Sequence, residues 1–136
     1  MKKHLFVLTF LLFSNYIISQ KFTEKDIIGR WKVVKILKKP ASPNFNDLIK
    51  SFGSATFEFK ENSDFKITTS DKTKLFTLLT DMTNNSKWKL NKDKFAINVG
   101  NESDHFSILK VNILEINGKI IFHMSETELD LEVQKE

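Results

Sequence analysis

The chain has 136 residues, 40% of them hydrophobic and 28% charged, with a formal net charge of +4 and no cysteine. That is one domain's worth of material, enough for a single core without metal or disulfide staples. The missing cysteine excludes thiol catalysis, thiolate zinc sites and iron–sulfur clusters.

Met1-Lys2-Lys3 is basic, residues 5–13 are apolar apart from Thr9, and Ser19 places a small residue just before Gln20. This three-part pattern predicts a secretory signal peptide over 1–19 and a mature domain over 20–136; the apolar run is too short to span a bilayer stably. The expected product is exported, periplasmic or secreted, and soluble, because no cysteine is present to carry a lipoprotein's acyl anchor, and no stable membrane insertion is expected after cleavage. Cleavage takes two of the 21 basic residues and leaves 19 against 17 acidic ones. No dense basic stripe interleaved with aromatic residues remains, so nucleic acid is not an expected partner.

Thr23 followed by Asp26 offers a capping box for one helical turn ahead of Gly29. Gly29-Arg30-Trp31 then opens a strand over 30–38, the glycine permitting a tight backbone turn and the indole plugging one end of a β-core. Its apolar pairs Val33-Val34 and Ile36-Leu37 break the alternation, as expected where a strand bulges to join both sides of a closed sheet. After Pro40 and Pro43, the residues Phe45, Leu48, Ile49 and Phe52 keep the helical period, predicting a short helix or helical loop over 44–52 that caps an open mouth.

Residues 54–60 alternate with Ala55, Phe57 and Phe59 inward, and after the turn at 61–64 Phe65, Ile67 and Thr69 resume the pattern, so the two runs form a hairpin. Over 72–82 the spacing of Leu75, Leu78, Leu79 and Met82 favours an amphipathic helix, with a strand as the alternative because of the threonines between them. As a helix it either closes the core or acts as a lid.

The second half reads as β throughout. Lys87 to Leu90 turns into 95–99, a polar loop covers 100–104, a longer strand covers 105–114, Asn117-Gly118 turns into 119–124, and 128–134 is the last strand. Eight short antiparallel strands in consecutive hairpins predict an all-β fold, an eight-stranded antiparallel up-and-down barrel with one or two short helices, in which the last strand pairs with the first. The interior of such a barrel either holds one small ligand or fills with side chains. Phe57, Phe59, Phe65, Ile67, Trp88, Phe95, Ile97 and Phe106 are the candidate inward residues for binding a small hydrophobic molecule.

Gly29-Arg30-Trp31 opening strand one, Phe57-Glu58-Phe59-Lys60 turning into Phe65-Lys66-Ile67, and Trp88-Lys89-Leu90 turning into 95–99 together resemble the small bacterial lipocalin-like domains. The resemblance spans about 27–133. It implies that Gly29 and Trp31 form the structural motif at the barrel's base and that an apolar ligand sits in the calyx. Lipocalins lay an arginine across that tryptophan; Arg30 is the sole arginine of this chain, and Lys119 and Lys135 are the candidates to replace it.

Catalytic chemistry finds little support. His105 and His123 read as ordinary strand histidines, too few for a metal site. Glu126, Glu128, Asp130 and Glu132 fall at every second position and read as the solvated face of the last strand, opposite lysines such as Lys32 and Lys38. No phosphate loop, nucleophile elbow or zinc-protease motif occurs. The sequence therefore predicts no enzyme, catalytic residue, metal or cofactor. Two functions stand side by side: an exported carrier of a small hydrophobic ligand, or an envelope interaction protein with a filled core.

Overall fold

The computed structural model describes residues 22–136; the segment 1–19, for which the sequence predicts a signal peptide, lies outside them. Eight antiparallel strands form one nearly closed barrel: β1 (Gly29–Lys38), β2 (Ala55–Phe59), β3 (Phe65–Thr69), β4 (Lys87–Asn91), β5 (Ala96–Gly100), β6 (Leu109–Ile116), β7 (Lys119–Met124) and β8 (Leu129–Lys135). Their spatial order is β3-β2-β1-β8-β7-β6-β5-β4, so every hairpin neighbour pairs and β8 returns to β1. Three helices accompany them, at the capping-box turn and the two helical-period stretches of the sequence: α1 (Glu24–Ile27), α2 (Asn46–Phe52) and α3 (Lys74–Thr83).

The two apolar doublets of β1 are where it bulges. Val33 faces Val133 and Lys35 faces Glu132, leaving Val34 as the extra residue; Ile36 faces Leu131 and Lys38 faces Asp130, leaving Leu37 as the second. Each bulge resets the side-chain phase, so Val33 is buried while Val34 and Leu37 are exposed. The strand thereby bends around the barrel and pairs with both β2 and β8.

Closure between β3 and β4 is partial. Phe65 N–H donates to the Ser86 carbonyl (3.1 Å) and Trp88 N–H to the Ser63 carbonyl (2.9 Å). The Trp88 indole donates to the Lys60 carbonyl (2.9 Å), and Lys87 bonds Asp64. Among the described residues β3 and β4 pair only through the Asp64–Lys87 bridge, and α3 lies beside β3.

At the floor, Trp31 is buried and its Nε1–H donates to the Ile27 carbonyl at 2.8 Å. Lys135, not Lys119, takes the place of the arginine: its Nζ stands 5.6 Å from the indole centroid and donates to the Asp26 carbonyl at 3.1 Å. Gly29 makes room for it. With φ at +136° and only 2.8 Å between an added Cβ and Lys135 Cε, a side chain there would be strained and would displace the lysine stem. The capping box forms at α1, where Asp26 Oδ2 accepts from the Thr23 N–H (2.7 Å) and hydroxyl (2.9 Å).

Three sequence expectations fail locally. The sixth strand begins at Leu109, not His105: His105 and Phe106 adopt left-handed backbone at φ 58° and 54° after a 3-10 turn at Glu102–Asp104. Asp104 Oδ1 accepts from Asn101 N–H (3.0 Å) and Ser107 N–H (3.2 Å), and these local bonds compete successfully with strand pairing. Phe95 likewise belongs to the β4–β5 turn, at φ 48°, because the longer hairpin loop closes through a left-handed residue.

The row of four acids is also broken. Glu126 and Glu128 lie in the β7–β8 turn, with Glu128 at φ 56°, and only Asp130 and Glu132 sit on β8. Opposite them are Lys38 and Lys35, while Lys32 faces Gln134. Glu132 is buried, not solvated, with Lys119 Nζ 3.6 Å away.

Candidate functional site

The inward positions of the lower barrel are occupied by aromatic rings in mutual contact. Phe122 meets Trp31 at 5.6 Å and Phe57 edge-on at 5.3 Å, and Phe59 meets Phe65 at 5.5 Å and Trp88 at 5.6 Å, centroid to centroid. Offset and edge-on pairs at these separations are favourable packing in themselves. Phe57, Phe59, Phe65, Ile67, Trp88 and Ile97 are therefore brought together as neighbours filling the core, all of them buried. Phe95 is half-buried in its turn, and the half-buried Phe106 has Lys89 Nζ 5.9 Å from its ring centroid; neither joins the cluster.

The stack continues upward through Phe52, which lies 6.2 Å from Phe57 and meets Phe76 edge-on at 5.5 Å. These two rings are the inner faces of α2 and α3. The helices are tied by polar contacts behind them: Ser51 Oγ donates to the Asp71 carbonyl (2.6 Å) and lies 2.7 Å from Thr73 Oγ1, and Thr73 Oγ1 donates to the Asp47 carbonyl (3.2 Å). Ser51 is fully buried, so these bonds satisfy groups that water does not reach.

Between the helical pair and the upper ends of β6 and β7 an apolar pocket of about 300 Å³ remains. Phe52, Leu109 and Met124 form its floor, Leu48 and Leu79 its walls, and Leu75, Leu78 and Met82 its rim, with the β7–β8 turn adding Glu126 and Thr127. The periodic set of α3 is thus divided. Phe76 and Thr83 are buried against the barrel, whereas Leu78 and Met82 remain 54% and 60% exposed beside the pocket. Exposed leucine and methionine grouped around a concavity mark a contact surface more than scattered apolar residues do.

None of the eight sequence-predicted binding residues borders this pocket. The sequence signal that did exist was the 75–82 periodicity, which identified the helix. Its partners Leu48, Leu109 and Met124 come from three other segments, and only the folded barrel places them together. A wider opening of about 650 Å³ beside the β3–β4 junction is lined by Phe65 and Ile67, two of those eight, among mostly polar neighbours such as Lys60, Asp64, Lys66, Asn84 and Lys87, and Trp88 and Phe106 border another opening of about 370 Å³ beside Glu61, Asn62 and Lys89.

On the outer face, His123 Nδ1 lies 2.5 Å from Asp130 Oδ1 across the β7–β8 pair. Among the described residues no three His, Asp or Glu side chains gather as a metal-ligand set. Two carboxyl groups titrate below their ordinary range: Asp26, through its hydrogen bonds from Thr23, and Asp64, through its bond with Lys87. Asp26 is exposed and Asp64 half-buried.

Among the described residues no helix is long and apolar enough to cross a membrane. No family model, no curated protein and no solved structure matches this chain.

Proposed function

We propose that this chain is an exported, non-enzymatic, lipocalin-like carrier that holds one small hydrophobic molecule at the mouth of its barrel. The observation that carries the reading is the 300 Å³ pocket under α2 and α3, whose floor, walls and rim are apolar. Its volume is at the lower limit of ligand sites; at about 30 Å³ per water-sized group it holds roughly ten non-hydrogen atoms. The filled aromatic interior below restricts binding to this upper chamber. Export rests on the leader-like pattern of 1–19 alone.

Native mass spectrometry of the protein purified from its own source tests the reading. The expected spectrum shows folded charge states carrying a small adduct that is shed on denaturation. Folded charge states of bare mass count against a carrier. They favour a second reading, an envelope interaction protein, which the exposed ridge of Leu75, Leu78 and Met82 on α3 supports.

A further inference from the structure

The mouth pocket has two polar side chains, Glu126 and Thr127, both from the β7–β8 turn, and no lysine or arginine lines it. One oxygen of Glu126, Oε1, accepts the Lys110 N–H at 3.2 Å, fixing the carboxylate at the pocket's edge. Thr127 Oγ1 is shut off from solvent and has no hydrogen-bond partner. A buried hydroxyl left unpaired is unfavourable and uncommon in a folded protein. Because Oγ1 makes no bond and Thr127 lines the pocket, a turn about χ1 toward a ligand there breaks no interaction.

These two groups discriminate among head groups. A carboxylate would stand against the exposed Glu126 carboxylate at the pocket's edge, with no lysine or arginine lining the pocket to offset the repulsion. An ammonium would pair with Glu126, but it carries donors only and leaves the Thr127 hydroxyl proton without an acceptor. A hydroxyl satisfies both, donating to the Glu126 carboxylate and accepting from Thr127. We propose, resting on the carrier reading above, that the pocket takes an uncharged aliphatic alcohol of roughly ten non-hydrogen atoms. Its chain lies among Leu48, Phe52, Leu79 and Met124, and its hydroxyl sits between Glu126 and Thr127.

The test titrates the protein, as its host produces it, with 1-octanol, octanoate, octylamine and octane, following the amide signals of Leu79, Leu109 and Thr127. Octanol is expected to bind about tenfold more tightly than octanoate and about fivefold more tightly than octylamine. Thr127→Val should weaken octanol about fivefold while leaving octane unchanged, Thr127→Ser should retain the octanol preference, and Glu126→Gln should narrow the gap to octanoate. Thr127→Val removes only an unpaired hydroxyl, so its melting temperature should equal or exceed the parent's.

Octanoate or octylamine binding as tightly as octanol, or Thr127→Val leaving octanol unaffected, overturns the head-group assignment; octane binding in the same series leaves the carrier reading intact. Silence from all four probes overturns both.

Discussion

Lys135 carries three duties at the barrel floor. Its ammonium stands over Trp31 and donates to the last turn of α1, and its stem occupies the space that Gly29 vacates. An ammonium is a compact point charge, where a guanidinium would lie flat on the ring, so the contact is the weaker of the two kinds. At an exposed site a cation–π contact contributes about 0.5–1 kcal/mol and a hydrogen bond about 1 kcal/mol. Lys135→Ala is therefore expected to lower stability by about 1–2 kcal/mol. Lys135→Gln, which can keep the bond to the Asp26 carbonyl, should lose about half of that. Urea unfolding followed by tryptophan fluorescence measures both; equal losses in the two variants would remove the charge from the account.

At the scale of elements, the mouth depends on the bonds that fasten α2 to the start of α3. Ser51→Ala deletes the hydroxyl shared by the Asp71 carbonyl and Thr73 while leaving the helices' apolar faces intact. The bond to the Asp71 carbonyl is part-buried and its acceptor belongs to the exposed Asp71, so its loss costs about 1 kcal/mol. The loss should be local, appearing as faster amide exchange across 72–83 with the barrel strands unchanged, and uniform acceleration over the whole chain would contradict it. The strands and helices were legible where one face is apolar and the other polar, as in Ala55–Phe59 and Phe65–Thr69. Even the doublets Val33-Val34 and Ile36-Leu37 announced the bulges. Phe95, His105 and Phe106 were misread because short-range geometry, including the Asp104 bonds, decides their backbone, and no hydrophobic period records it. The pocket escaped for a different reason. Residues as distant in sequence as Leu48 and Met124 share it only after β8 pairs with β1, so the inward alternation identified the packed core and not the space left above it.

The whole molecule closes at one small junction, where β3 and β4 meet through Phe65, Trp88 and the Asp64–Lys87 pair. The remaining edges of both strands are without strand partners, so this junction decides whether the sheet behaves as a barrel or as an open, curled sheet. Lys87, bonded to Asp64, holds the carboxyl below its ordinary value of 3.8. A carboxyl with a depressed folded-state value contributes its stabilisation fully above that ordinary value and loses it as the pH falls through the depressed one. The pair is exposed to solvent and screened, so its contribution is small and salt-sensitive. Asp64→Asn should therefore be slightly less stable than the parent near neutrality, with the difference shrinking as acid protonates Asp64 and vanishing once protonation is complete. Amide exchange at Phe65 and Trp88 is the sharper readout, because those two N–H groups bond across the junction itself. Both should exchange faster in Asp64→Asn at neutral pH, and in the parent they should accelerate on acidification relative to amides of β7. If the two amides hold their protection in the variant, the ion pair merely decorates a junction that the Trp88 indole and the backbone keep shut.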